Sequence, residues 1–164
     1  MANYCSIYGQ IALKDEKKAN YLAERINDSI DKNQRLDFGG RVCMLDVTAI
    51  IEKNEITLYC DVKWVLDQRD MVLFVKWLGQ YVPVKEMEIQ LRYEEMGCNV
   101  LGKYRLYNGI LEDFYIPDNE FPKYPEIKDS DNEDEIYDAY MDQLYEMVDH
   151  SGGCVIYDYN TKAA

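Results

Sequence analysis

The apolar residues of this chain recur with a period of two in some segments and with a helical period in others. Residues 3–13 alternate, and one side of the segment carries Cys5, Ile7, Gly9, Ile11 and Leu13. This alternation is typical of a half-buried strand. Residues 15–33 instead carry apolar side chains at helical spacing: Ala19, Leu22, Ala23, Ile26 and Ile30. The chain is therefore predicted to open with a strand and a helix.

The next segments repeat this pattern. Two alternating segments flank Lys53-Asn54 and predict a hairpin. The first of these places five residues on one face: Cys43, Leu45, Val47, Ala49 and Ile51. A helical stripe over residues 69–81 ends before Pro83, and alternation returns at residues 87–93. The order β-α-β-β-α-β is the ferredoxin-like arrangement, in which two helices cover one face of an antiparallel sheet.

The sheet is predicted to continue beyond this unit. Residues 100–107 and 110–116 flank Asn108-Gly109, a strong hairpin signal. A proline-containing loop over residues 117–132, a helix over about 131–150 and a short strand from Cys154 to Tyr159 follow. We therefore expect one α+β domain over residues 1–164. Residues 1–116 form its ferredoxin-like core with the added hairpin, and residues 117–164 form an acidic loop, helix and short strand.

Short motifs in the first two thirds of the chain are similar to those of a known family. They are Ala2-Asn3-Tyr4-Cys5 before the first strand, and Tyr93-Glu94-Glu95-Met96-Gly97 followed by Gly102 and Asn108-Gly109. Over residues 1 to about 116 the chain resembles a family of small ferredoxin-like proteins from phages and conjugative plasmids, which more often carries tryptophan at the position of Tyr4. The family has no established activity. The resemblance therefore implies a fold and a mobile-element origin, and it implies no active site.

Negative charge is concentrated in one segment. The formal net charge is −13, and residues 112–149 contain 14 acidic residues but only Lys123 and Lys128 as bases. The rest of the chain is nearly neutral, with 17 acidic and 16 basic residues. Such an asymmetry indicates an acidic interaction segment.

The acidic residues of the predicted third helix are regularly spaced. Four of them recur at every fourth position: Asp134, Asp138, Asp142 and Glu146. This spacing places them in one row, with a rise of about 6 Å between neighbours. The other side of the helix carries the predicted docking stripe: Tyr137, Tyr140, Met141, Leu144, Tyr145 and Val148. The row is a solvated helix face, or a polyanion that imitates a nucleic-acid backbone and attracts a Lys/Arg-lined groove, or a site for cations.

The sequence contains few elements of catalytic or metal sites. His150 is the only histidine, the five cysteines include no C-x-x-C pair, and neither glycine-rich phosphate-binding motif occurs. We therefore expect no enzymatic activity and no cofactor. A carboxylate–metal enzyme that uses Glu94 and Glu95 remains a third alternative.

The apolar segments are short. The longest run, residues 71–75, is far below the ~20 residues that span a bilayer, and no secretory signal precedes the first strand. We expect a soluble protein of the host cytoplasm with reduced cysteines and no membrane association. Direct nucleic-acid binding is not expected, because the basic residues are dispersed and the net charge repels phosphates.

These observations together predict an interaction protein. The first hypothesis is a phage or mobile-element inhibitor that binds a basic nucleic-acid-binding host protein, such as a CRISPR effector or a defence nuclease, by nucleic-acid mimicry. The predicted contact residues are Asp131, Glu133, Asp134, Glu135, Asp138, Asp142 and Glu146, with Tyr107 and Tyr115 adding contact area. The alternative is a structural or assembly module of a mobile element that acts through protein–protein contacts. The sequence leaves the oligomeric state open.

Overall fold

A computed structural model describes residues 3–128 and 132–161 of the chain. Within these residues the chain forms three α-helices and seven β-strands. The elements are β1 (Tyr4–Leu13), α1 (Glu16–Ser29), β2 (Met44–Glu52), β3 (Glu55–Lys63), α2 (Gln68–Leu78), β4 (Met87–Glu95), β5 (Val100–Tyr107), β6 (Ile110–Tyr115), α3 (Glu133–His150) and β7 (Cys154–Asp158).

All seven strands belong to one open sheet. Their order is β2-β3-β1-β4-β5-β6-β7, and every neighbouring pair is antiparallel. The predicted α+β class and the antiparallel sheet are confirmed. The complete order differs from the four-stranded ferredoxin-like sheet, because β5, β6 and β7 continue the sheet beyond β4.

The two faces of the sheet carry different helices. The larger core packs α1 and α2 against the sheet and includes Tyr104 and Leu106 of β5. The smaller core packs α3 against Leu101 of β5 and Phe114 of β6. Successive side chains of a strand point to opposite faces, so α3 covers the face opposite to α1 and α2. None of the helices in the described chain is long and apolar enough to cross a membrane.

An irregularity in β2 changes which residues enter the core. The pairing of β2 with β3 shifts between Leu45 and Thr48, and Asp46 has a φ of 49°. Met44 and Val47 are buried, whereas Leu45 is only half-buried. A bulge inserts one extra residue and reverses the side-chain alternation on one side of it. The prediction that Cys43 and Leu45 share a core face with Val47 is therefore wrong.

The cysteines are all unpaired. Cys5 and Cys60 are buried in the larger core, while Cys98 and Cys154 are exposed. Burial raises the pKa of the Cys5 thiol to about 12. A thiol with such a pKa is protonated at neutral pH, and the two buried cysteines therefore act as small apolar side chains.

Candidate partner-binding surface

Helix α3 is anchored to the sheet by a narrow apolar stripe. Four residues of the predicted docking stripe are buried: Tyr140, Met141, Leu144 and Val148. Tyr145 is half-buried, but Tyr137 is 45% exposed. The predicted docking stripe is thus confirmed for the C-terminal two thirds of the helix. The prediction is wrong for Tyr137, which lies in the first turns of the helix before the contact with the sheet begins.

Six carboxylates of α3 project into solvent. We call them the acidic face of α3: Glu133, Asp134, Glu135, Asp138, Asp142 and Glu146. Within the described residues none of the six forms an ion pair. Asp131, the remaining acidic residue predicted for this site, lies outside the described residues. The acidic face is therefore a cluster of negative charge that no basic side chain of the described chain neutralises.

Asp149 is the exception among the acidic residues of α3. Its carboxylate lies 3.0 Å from the guanidinium of Arg92 on β4 and 2.6 Å from the ammonium of Lys103 on β5. Partial burial tends to raise the pKa of Asp149, but the hydrogen bond from Lys103 and the two positive charges outweigh it and hold the pKa below its usual value. Asp149 therefore anchors the last turn of α3 to the sheet and does not belong to the acidic face.

Tyr145 adds a second polar anchor. Its hydroxyl donates a 2.9 Å hydrogen bond to Glu94 and accepts one of 2.9 Å from Tyr8 of β1. The guanidinium of Arg92 lies over its ring, 4.7 Å from the ring centroid. Burial, followed by these hydrogen bonds, raises the pKa of the Tyr145 hydroxyl, which stays protonated at neutral pH. Apolar and polar contacts together fix α3 on the sheet and hold the acidic face in a defined position.

Two other acidic residues of the charged segment add no unpaired negative charge to the surface. Glu112 pairs with Arg105 at 2.7 Å. Asp113 is buried and accepts hydrogen bonds from Tyr93 at 2.8 Å and from Gln68 at 2.9 Å. Burial raises the pKa of Asp113, although both hydrogen bonds oppose this. The negative surface of the segment is consequently smaller than its composition indicates.

The two tyrosines predicted to support the acidic residues lie in different places. Tyr107 is exposed at the end of β5, six residues from Leu101, where β5 contacts α3. That separation corresponds to roughly 20 Å along a strand. Tyr115 lines a cavity of about 520 Å³ together with Met147 and His150 near the end of α3. The structure therefore places Tyr115 beside α3 and does not bring Tyr107 to the acidic face.

A groove that the sequence did not reveal lies beside the start of α3. It has a volume of about 390 Å³, and its lining is mostly aromatic and apolar: Met96, Asn99, Phe121, Pro122, Lys123, Tyr124, Tyr137 and Tyr140. We call it the Tyr124–Tyr137 groove. The segment Phe121-Pro122-Lys123-Tyr124 carried a compositional signal, since aromatic residues are unusual in a solvated loop. The contribution of Tyr137 was missed because its helical spacing assigned it to the core.

The geometry gives no support to the carboxylate–metal alternative. Among residues 3–128 and 132–161, no group of three or more His, Cys, Asp or Glu side chains is placed to hold a metal ion. Glu94 accepts a hydrogen bond from Tyr145 on the face that α3 covers, and the Tyr8 hydroxyl lies 3.4 Å from the same carboxylate. Glu95 follows it directly on the same strand, so the two side chains point to opposite faces.

Comparisons with known proteins identify no relative. No protein-family model matches the chain, and neither does any curated protein or solved structure. The resemblance to the ferredoxin-like phage and plasmid proteins therefore stays a prediction. Any function has to be argued from the surface itself.

Proposed function

We propose that this protein is an inhibitor encoded by a phage or a related mobile element. It binds a basic nucleic-acid-binding protein of its host through the acidic face of α3 and occupies the groove that otherwise takes a phosphate backbone. A CRISPR effector or a defence nuclease is the kind of partner that fits. As part of the same proposal, β1 to β4 with α1 and α2 correspond to the ferredoxin-like unit that the resemblance implies, since β1 lies between β3 and β4.

The observation that carries this proposal is the exposure of the acidic face on a firmly anchored helix. Like charges four residues apart destabilise a helix by a few tenths of a kcal/mol per pair. Asp134, Asp138 and Asp142 form two such pairs, and the structure provides no compensating cation for them within its described residues. A cationic partner removes this repulsion. The carboxylates therefore destabilise the free protein slightly and stabilise a complex with such a partner.

The chemistry of the partner follows from the arrangement of the charges. Carboxylates at about 6 Å intervals along one side of a straight helix form a rigid row of negative charge. A groove lined with Lys and Arg, as in proteins that hold a nucleic-acid backbone, attracts such a row over a distance and speeds association. Nucleic acid itself is repelled by the same row. The partner is therefore a protein that binds nucleic acid.

A pair of matched charge-reversal variants tests the proposal. Asp138→Lys/Asp142→Lys alters the acidic face, and Glu52→Lys/Glu55→Lys makes the same change in net charge at the exposed hairpin between β2 and β3. Each protein is immobilised and incubated with a lysate of the host, and bound proteins are quantified at increasing salt. We expect the wild type and the hairpin variant to capture the same basic protein, with salt weakening the complex, and the α3 variant to lose it. Equal capture by both variants contradicts the proposal.

An assembly module remains the second candidate, because the sheet has unpaired edges. Within the described residues β7 pairs only with β6, and its residue Val155 is 58% exposed. Such an edge is able to pair with another strand. This function predicts a stable homo-oligomer whose mass, measured by light scattering after size exclusion, is the same at low and high salt. The inhibitor function predicts that complex formation with a basic partner depends on salt.

A further inference from the structure

The Tyr124–Tyr137 groove is open on one side and rigid on the other. Its inner wall includes Tyr140, which is buried and whose hydroxyl donates a 2.8 Å hydrogen bond to the carbonyl of Pro122. Its outer walls are the rings of Tyr124 and Tyr137, which are 42% and 45% exposed. The hydroxyls of these two rings have no hydrogen-bond partner among the described residues. The groove therefore presents aromatic ring faces to solvent on a fixed base.

The three tyrosine rings of the groove pack at angles to one another. The centroids of Tyr124 and Tyr140 are 5.0 Å apart with an interplanar angle of 85°. Those of Tyr124 and Tyr137 are 6.5 Å apart at 50°. The electron-rich face of an aromatic ring attracts a cation within about 6 Å of its centroid. A cation placed between Tyr137 and Tyr124 thus lies within this distance of both rings.

Carboxylates lie within four residues of the exposed tyrosines of the groove in sequence. Glu133 and Asp134 precede Tyr137 by four and three residues, which places them on the same side of α3. Glu126 follows Tyr124 by two residues and is exposed. One cation, Lys123, also lines the groove. Because negative charge predominates, an anionic ligand is disfavoured and a cationic one is favoured.

Near its C-terminal end, α3 already contacts a guanidinium through a tyrosine ring and a carboxylate. Arg92 lies over the ring of Tyr145 and pairs with Asp149, which is one helical turn further along. Tyr137 has Glu133 one turn before it, but no cation of the described chain lies over its ring. Two tyrosine–carboxylate pairs therefore lie on α3, and Arg92 occupies only one of them.

We propose that the Tyr124–Tyr137 groove binds an arginine side chain of a basic partner protein, with the guanidinium stacked on Tyr137 and its charge balanced by Glu133. Arginine fits better than lysine, because the planar guanidinium stacks on aromatic faces and is more weakly hydrated. This inference rests on the proposed function only in that the partner is a basic protein. It adds the side chain that anchors that partner beside the acidic face.

The test is a titration of the full chain with N-acetyl-arginine amide, followed by NMR of the tyrosine rings. N-acetyl-citrulline amide, which has the same shape without the charge, is the matched control probe. We expect the arginine probe to shift the ring signals of Tyr124 and Tyr137 in a saturable way and citrulline to leave them unchanged. Tyr137→Ala is expected to weaken binding about two- to fivefold, whereas Tyr137→Phe retains it. Lys123→Gln is expected to strengthen binding, because it removes a competing charge.

Two results overturn the inference. One is equal binding of the citrulline and arginine probes, and the other is unchanged arginine binding in Tyr137→Ala. Neither depends on the host partner, so this test and the charge-reversal test fail separately. If the arginine probe binds but no basic host protein is captured, the groove stands and the proposed function falls. If the host protein is captured through Asp138 and Asp142 but the probe does not bind, the function stands and the groove proposal falls.

Discussion

The guanidinium of Arg92 approaches both carboxylate oxygens of Asp149, at 3.1 and 3.0 Å. Arg92 lies on β4, in the middle of the sheet, and Asp149 lies in the last turn of α3. The contact joins residues 57 positions apart in sequence. It ties the last turn of α3 to the sheet, although most of the net negative charge of the chain lies in and just before this helix.

The first prediction concerns the pH dependence of this contact. The pKa of Asp149 is lowered in the folded protein, so the contact stabilises the fold above the ordinary Asp pKa of about 3.9 and is lost as pH falls through the lower folded value. We expect Asp149→Asn to reduce the free energy of unfolding by about 0.5–1 kcal/mol at pH 7, because the carboxylate is 43% exposed and solvent screens the pair. Urea denaturation at pH 7 and pH 3 measures this difference.

Asp142→Asn is the control for this experiment, since Asp142 is exposed on the same helix and has no ion pair within the described residues. It is expected to leave stability at pH 7 unchanged or to raise it slightly. A loss in Asp149→Asn that is as large at pH 3 as at pH 7 contradicts the assignment, because the unfolded carboxylate already takes up protons at pH 3 and the stabilisation from a lowered folded pKa has to be smaller there.

The second prediction concerns the buried carboxylate of Asp113. Tyr93→Phe removes one of its two hydrogen-bond donors, and we expect a loss of about 1–3 kcal/mol at neutral pH. Burial already raises the pKa of Asp113, so its ionisation lowers stability as pH rises above the ordinary Asp value. Removing the donor raises that pKa further. The destabilisation, measured in urea, is therefore expected to grow from pH 4 to pH 8.

Tyr107→Phe provides the comparison, because the Tyr107 side chain is exposed and its hydroxyl has no hydrogen bond within the described chain. No change in stability is expected at either pH. A pH-independent loss in Tyr93→Phe contradicts the prediction, because the hydroxyl then does not favour the ionised form of Asp113 over the protonated form.

The third prediction concerns Gly9 in β1, an internal strand of the sheet. Its φ is 153°, and an added Cβ lies 2.0 Å from the carbonyl oxygen of Gln90 on β4. Because backbone of the neighbouring strand blocks this position, Gly9→Ala is expected to cost more than about 3 kcal/mol or to prevent folding. Gly152→Ala is the control, since nothing lies within 4 Å of its added Cβ. Circular dichroism during thermal unfolding compares the two; similar melting temperatures contradict the prediction.

The fourth prediction tests whether α3 unfolds together with the sheet. Leu144 is fully buried in the smaller core, and Leu144→Ala is expected to reduce the free energy of unfolding by about 2–4 kcal/mol. One cooperative transition is expected in far-UV circular dichroism and in tryptophan fluorescence. The two tryptophans lie outside α3, so a fluorescence transition that stays unchanged while the helical signal melts earlier shows that α3 is an independent unit.

Local patterns predicted most of the elements of this fold. The alternation of apolar residues predicts β1 and β4, and the Asn108-Gly109 turn predicts the β5–β6 hairpin. The bulge at Asp46 was not predicted, because the apolar residues on either side of it also fit an uninterrupted alternating strand. Exposure of the acidic face follows from the helical period. The sequence therefore locates the candidate surface but not its boundaries.

The remaining features depend on contacts distant in sequence. Nothing near Asp149 indicates that Arg92 and Lys103 neutralise it, since these residues reach it only through strand pairing and the docking of α3. Tyr137 has the spacing of a core residue, but it belongs to neither hydrophobic core and its ring lines a groove. Helical spacing identifies a face, whereas the length of the surface that covers it is a property of the tertiary structure.

Competition between this protein and nucleic acid tests the proposed mimicry most directly. The captured host protein is loaded with labelled nucleic acid and titrated with the wild-type chain or with Asp138→Lys/Asp142→Lys, while fluorescence anisotropy follows release of the label. We predict that the wild type displaces the nucleic acid and that the variant does not. A ternary complex, in which the host protein retains its nucleic acid while it binds the wild-type chain, contradicts the account.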